Sequence, residues 1–144
     1  MKFSILITNY NKKPFLKQCV QSCLKQSYKN FEIIIFDNCS NDGSQLLLKK
    51  FEKKCIIKKQ GRVSNNSATN QIDLIKKGTK YCSGDVICLL DSDDYFFANK
   101  LKVIEKNFQN NKNLSILFDI PLLKQNKKLH KQILKSFFKK NTWP

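Results

Sequence analysis

The chain has 144 residues, 41% of them hydrophobic and 26% charged. That is one domain's worth of protein with enough apolar content to build a core, which excludes a wholly disordered chain. Lysine and arginine number 27 against 11 acids, a formal net charge of +16, while four glycines and three prolines exclude collagen-like or proline-rich linker material.

Phe3 to Ile7 reads as a first strand, followed by a polar loop from Thr8 to Lys13. Pro14 suits the first turn of a helix. Phe15, Cys19 and Cys23 repeat every four residues, as do Leu16, Val20 and Leu24, which predicts an amphipathic helix from 14 to about 27. Phe31 to Phe36 is a second strand, and its continuous run Ile33-Ile34-Ile35-Phe36 marks a strand covered on both faces. A polar loop from Asp37 to Ser44 leads to a predicted helix from Gln45 to Lys53 and a weaker strand from Cys55 to Lys58. The polar segment Lys59 to Asn66 precedes a predicted helix from Ser67 to Lys77, with Ile72 and Ile75 facing inward. Asp85 to Leu90 is the fourth strand and ends in Asp91-Ser92-Asp93-Asp94. Ala98 to Phe108 reads as a helix, Leu114 to Ile120 as a further strand, and Leu129 to Phe138 as a helix in a tail that holds seven lysines and no acid from Pro121 onward.

Strands alternate with helices, and the fully apolar runs are the strands. That pattern predicts an α/β sandwich with a mostly parallel sheet and right-handed crossovers. Such sheets bind ligands beyond the carboxyl ends of their strands. Five of the eleven acids, Asp37, Asp42, Asp91, Asp93 and Asp94, fall in two loops that share that edge. Three carboxylates within four residues repel one another. They read either as a solvated turn or as ligands for Mg²⁺ or Mn²⁺, which take oxygen ligands and often share them with substrate phosphates. Asp37 reads either as an acceptor for a base or ribose, or as a helix cap or Asx turn. Gly43 stands alone, so no glycine-rich phosphate loop can be drawn.

The six cysteines form no Cys-x-x-Cys pair, and His130 is the only histidine. A zinc site is poorly supported, and buried thiols of a reducing compartment are expected. The first apolar run is too short for a leader, and no run nears the roughly 20 residues of a spanning helix. The expected location is cytoplasmic, with lysines such as Lys127, Lys128, Lys131 and Lys135 as a patch for the inner face of an anionic membrane.

Three blocks now carry a resemblance. Ser4-Ile5-Leu6-Ile7-Thr8-Asn9-Tyr10-Asn11 resembles the opening strand of family 2 glycosyltransferases. Phe31 to Ser44, preceded by Gln26-Ser27-Tyr28-Lys29-Asn30, resembles their second strand and loop, and Leu89-Leu90-Asp91-Ser92-Asp93-Asp94 is similar to their Asp-x-Asp segment. The resemblance covers residues 3 to about 120. It implies a GT-A fold, a Rossmann-like three-layer sandwich of the nucleotide-diphospho-sugar transferase type. It also implies inverting, metal-dependent transfer of a sugar from a nucleotide-diphosphate-sugar, a UDP-sugar above all, to a hydroxyl of a glycan or lipid-linked acceptor in surface polysaccharide biosynthesis.

By the same resemblance Thr8 and Tyr10 line the nucleotide pocket and Asp37 contacts the base. Asp91 approaches the ribose and donor, and Asp93 binds the Mg²⁺ or Mn²⁺, with Asp91 and Asp94 as further candidate ligands. Asn70 matches a donor-contacting Asn, although Thr69 stands where the family has Arg and Asn9 departs from its usual Pro or Thr. Residues 1–120 are thus expected to form the nucleotide-sugar-binding part, and 121–144 a basic segment that begins the acceptor half. No catalytic base is identified, because neither Glu105 nor Asp119 matches its position, and it is expected beyond Pro144. Two alternatives follow: an inactive nucleotide-sugar-binding fragment, or a basic nucleic-acid-binding module. Against the second, the lysines are scattered, aromatics do not interleave them, and Arg62 is the single arginine.

Overall fold

Seven consecutive residues, Phe3–Asn9, form a strand (β1) that is buried along its whole length. β1 can be buried throughout because it has a parallel neighbour on each side. Phe31–Asp37 (β2) pairs with it from Phe3↔Phe31 to Asn9↔Asp37, and Val86–Asp91 (β4) from Phe3↔Val86 to Thr8↔Asp91. Ile56–Lys59 (β3) extends the sheet beyond β2, giving the order β3-β2-β1-β4. The helices Lys13–Leu24 (α1), Ser44–Lys49 (α2) and Ser67–Gly78 (α3) make the crossovers, and Lys100–Asn110 (α4) follows β4. The computed structural model describes residues 1–118, 122–125 and 128–131.

The chain divides into two units, Met1–Asn110 and Asn111–Pro144. The first is the expected α/β sandwich in three layers. Odd-numbered residues of β1 and β2 (Ile5, Ile7, Ile33, Ile35) pack with Leu16, Cys19, Val20 and Cys23 of α1, Leu48 of α2, and Leu101 and Ile104 of α4. The even-numbered Leu6, Ile34 and Phe36 meet Leu74 of α3 on the other face. Period-2 strands and period-3.6 helices produce this division directly. In the second unit Leu122–Gln125 (β5) pairs antiparallel with Lys128–Lys131 (β6).

Several expectations need correction. β1 continues through Thr8 and Asn9, which the polarity of the sequence assigned to a loop; ladder hydrogen bonds run on regardless of side-chain polarity. α2 stops at Lys49, and the chain then turns on i→i−3 bonds from Lys50 to Leu47 and from Phe51 to Leu48. On α3 the buried face is Asn70, Leu74 and Gly78, spaced four apart, so Ile72 points outward and is exposed. Leu114 to Phe118 form no strand, and Ile116 and Phe118 are exposed. Asp119 and Ile120 lie outside the described residues. Leu129 to Lys131 belong to β6 rather than to the predicted helix, whose remainder to Phe138 also lies outside. All six cysteines are free thiols. Among the described residues, no helix is long and apolar enough to cross a membrane.

The amino edge of the sheet is tied by one carboxylate. Glu32 accepts from Ser4 Oγ (2.6 Å), Ser83 N (2.6 Å), Ser83 Oγ (2.9 Å) and Lys2 Nζ (3.1 Å). These bonds join the starts of β1 and β2 to the turn before β4. Gly84 lies in that turn because a Cβ there would stand 2.6 Å from Ser4 N. Burial pushes the Glu32 carboxyl up, but the donors of Ser4, Ser83 and Lys2 outweigh it and hold it at about 2. Because the folded value is depressed, this stabilisation is complete above the ordinary 4.5 and is lost as pH falls toward about 2. Glu32→Gln should therefore lower stability at pH 7 by about 1.5 kcal/mol. It should also flatten the acid limb of a urea-denaturation profile, and an unaltered acid limb would contradict this account.

Candidate functional site

A parallel sheet delivers all its carboxyl ends to one edge. Here β1 ends in Thr8-Asn9, β2 in Asp37 and β4 in Asp91. At this edge a cleft of about 260 Å³ opens, close to the lower end of the volumes that hold small molecules. Its walls come from Thr8, Asn9, Tyr10 and Lys12, from Asn38 and Arg62, from Ser67, Asn70, Gln71 and Leu74 of α3, and from Asp91 to Asp93. Of the residues singled out in the sequence, Thr8, Tyr10, Asn70, Asp91 and Asp93 line this one cleft, whereas Asp37 and Asp94 do not.

The acids after β4 have separate surroundings. Asp91 Oδ1 accepts from Gln71 Nε2 at 2.6 Å and from Thr8 Oγ1 at 3.3 Å. Asp93 Oδ2 pairs with Lys12 Nζ at 2.7 Å, and that hydrogen bond and charge raise the Lys12 ammonium above its ordinary value. Both partners are more than a third exposed, so the pair adds little stability. Asp94 is pushed up by desolvation and then by the negative charges of Asp93 and Asp91. Among the described residues no group of three or more His, Cys, Asp or Glu side chains converges to hold a metal ion. Asp91, Asp93 and Asp94 are thus neighbours in sequence without forming a closed ligand set.

The loop that presents these acids is fastened from beneath. Gln26, fully buried, donates through Nε2 to Phe97 O at 2.8 Å and accepts at Oε1 from Leu101 N at 3.1 Å. Ser22 Oγ accepts from Phe96 N at 3.1 Å. The last turn of α1 and the residues just after it therefore fix the path from Asp94 into α4.

Asp37 lies behind the cleft and is fully buried. Its Oδ1 accepts from Asn9 Nδ2 and Ser40 Oγ, both at 2.6 Å, and its Oδ2 accepts from Ser40 N at 3.0 Å. Asp37 thus ties down the start of its own loop through a side-chain-to-backbone bond three residues on. Ser40 Oγ also accepts from Asn11 N at 2.9 Å, and Asn11 Oδ1 accepts from Asn41 N at 2.9 Å, so the loops after β1 and β2 are tied together. Asn9 Oδ1 is buried without a partner among the described residues.

Asn70 is also spent locally. Its Oδ1 accepts from Val63 N (2.9 Å) and Ser64 N (3.2 Å), and its Nδ2 donates to Ser64 O (2.6 Å) and Asn66 O (2.7 Å). This holds the loop before α3, from which the Arg62 guanidinium lies over the Tyr10 ring, 4.6 Å from its centroid. Sequence reasoning missed Lys12, Arg62 and Gln71 as cleft residues. The only signal for any of them was that a single arginine among 27 basic residues is chemically distinct.

The chain matches the family model "Glycosyl transferase family 2" over residues 4–142. It is 32% identical over 100 residues to the Escherichia coli UDP-Glc:alpha-D-GlcNAc-diphosphoundecaprenol beta-1,3-glucosyltransferase WfgD, covering 69% of this chain and 38% of that protein. It is 36% identical over 98 residues to WfaP, an E. coli protein of the same description, covering 68% of this chain and 38% of that one. The crystal structure of Staphylococcus aureus TarS 1–349 superposes with a TM-score of 0.64 at 25% identity, over 76% of this chain and 33% of that one. The chain thus spans well under half the length of these relatives.

The bonds to Asp37 set one expected outcome. Asp37→Ala takes the acceptor from Ser40 N and the Ser40 hydroxyl and leaves Asn9 Nδ2 with Ser40 Oγ alone, at 3.1 Å, and in this buried site it should cost about 3 kcal/mol of folding stability. Chemical denaturation without any ligand measures this, and a loss below 1 kcal/mol would show the carboxylate to be dispensable to the fold.

Proposed function

Because the chain belongs to glycosyl transferase family 2, we propose that its cleft binds a nucleotide-diphosphate-sugar, a UDP-sugar in the first instance. It serves the donor side of an inverting transfer to the hydroxyl of a glycan or lipid-linked acceptor. The observation that carries this reading is the convergence of Thr8, Tyr10, Asp91 and Asp93 on one cleft at the carboxyl edge of a parallel sheet. WfgD and WfaP carry glucose from UDP-Glc to alpha-D-GlcNAc-diphosphoundecaprenol. The net charge of +16 supports work at an anionic membrane surface on the cytoplasmic side, where lipid-linked acceptors are reached.

The acids fit a divalent cation as a partial ligand set. Carboxylate oxygens are the hard donors that Mg²⁺ and Mn²⁺ take, and one or two of them suffice when substrate phosphates supply the rest. Asp93 already holds a cation, the Lys12 ammonium, at 2.7 Å. Asp91, Asp93 and Asp94 put three carboxylates within four residues at that loop. Asp93 and Asp91 would hold the ion, which supplies Lewis-acid charge toward a diphosphate leaving group. Thr8 and Gln71, through their bonds to Asp91, orient that carboxylate. The buried Asn9–Asp37–Ser40 bonds keep the Tyr10 loop in place beside the nucleotide. No described residue is assigned as the base that takes the acceptor proton.

Isothermal titration of UDP with and without Mn²⁺ tests this. Binding should need the metal, and Asp93→Ala should weaken it by at least tenfold while leaving the melting temperature close to that of the parent. Equal affinity after chelation, or in Asp93→Ala, would sink the metal-bound donor reading.

A further inference from the structure

Two cations line the cleft, Lys12 and Arg62. Lys12 is committed to Asp93. Among the described residues Arg62 pairs with no carboxylate, and its one side-chain hydrogen bond runs from Nη2 to Asn65 O at 3.3 Å. Its contact with Tyr10, 4.6 Å from the ring centroid, is made through the π-face of the ring. A guanidinium engaged in this way keeps its other in-plane N–H donors available, and that planar fork matches phosphate oxygens two at a time. The ring restrains the side chain without neutralising it.

The loop that carries Arg62 is held at both ends. Gln60 N donates to Asp37 O at 2.9 Å, and the Gln60 side chain bonds Asp73 of α3. Asn70 uses both amide hydrogens and both carbonyl lone pairs on Val63, Ser64 and Asn66. An amide with four bonds made has nothing left to offer a ligand. The side chain expected to touch the donor is therefore consumed in shaping the loop, and position 69 carries a threonine rather than a cation.

We infer that Arg62 is the diphosphate-binding cation of this cleft, and that Asn70 is its positioning residue. The inference rests on the reading of the cleft as a nucleotide-diphosphate site and adds to it the residue that meets the phosphates. Arg62 distinguishes a diphosphate from a bare nucleoside by charge and by paired hydrogen bonds. Tyr10 and Asn65 limit where its fork can lie.

The test measures UDP and pyrophosphate affinity by titration with Mn²⁺ present, and uridine affinity by ligand-observed NMR, for the parent chain and for Arg62→Ala, Arg62→Lys and Asn70→Ala. Arg62 is exposed, so its replacements should leave the fold intact. Arg62→Ala is expected to lose about tenfold in UDP and pyrophosphate affinity, with uridine affinity unchanged within twofold. Arg62→Lys should recover part of the loss. Asn70→Ala should reproduce it, again without moving uridine affinity, and should add nothing in the Arg62→Ala background. Undiminished UDP affinity in Arg62→Ala overturns the inference and leaves the donor-site reading standing. An equal loss for UDP and uridine also overturns it, because Arg62 would then only shape the Tyr10 wall. A parent chain that binds neither UDP nor pyrophosphate overturns both readings together.

Discussion

The burial of β1 is the constraint from which the remaining geometry follows. A strand with a hydrogen-bonded neighbour on each edge and a helix layer on each face has no freedom of register. Its alternate residues belong to different cores: Ile5 and Ile7 to one, Leu6 to the other. A slip by one position would exchange the two sets and drive Ser4 and Thr8 into apolar surroundings. The strand therefore ends in one place, and what it delivers there is polar. Thr8 stands opposite Asp91 and Asn9 opposite Asp37, because the ladder that aligns the apolar residues also aligns these.

Polar groups so placed must be satisfied or they oppose folding. The chain meets most of this demand by spending its side chains on one another, with Asn9 Oδ1 left unpartnered among the described residues. Asp37 gathers Asn9 and Ser40, Asn70 gathers the 63–66 loop, and Gln26 gathers the path after Asp94. Side chains used in this way build the walls of the cleft, and the groups left over face its interior. The division of labour is steric as much as chemical: Asp37 and Gln26 fix loops from outside the cleft, Asn70 fixes one from its wall, and Lys12, Arg62, Asp91 and Asp93 bring charge to that wall.

The sequence made the strands legible because each is a continuous apolar run, Ile33 to Phe36 and Val86 to Leu90 being the clearest. It made the acid-bearing loops legible because carboxylates beyond such runs are conspicuous in a chain with few of them. Other features left no trace in composition. Asn70 was visible as a match to a motif, but its four hydrogen bonds depend on where the 63–66 loop folds back. Arg62 reaches Tyr10 across 51 intervening positions in the chain, a distance that periodicity cannot bridge. Ile72 misled because two isoleucines three apart look like a helical face, while packing against Leu6 selected Leu74 and Gly78 instead. Short apolar stretches such as Leu114 to Phe118 and Leu129 to Lys131 are ambiguous between helix, strand and coil until neighbours decide.

The outermost strand has a consequence for life in a crowded solution. β3 holds only four residues, and the last two of them are Lys58 and Lys59. A stray polypeptide seeking to lengthen the sheet on that flank would have to lie alongside two ammonium groups. Brevity and like charge together make such templating unfavourable, so this margin guards a highly cationic, thiol-bearing chain against growing into fibrils from that side.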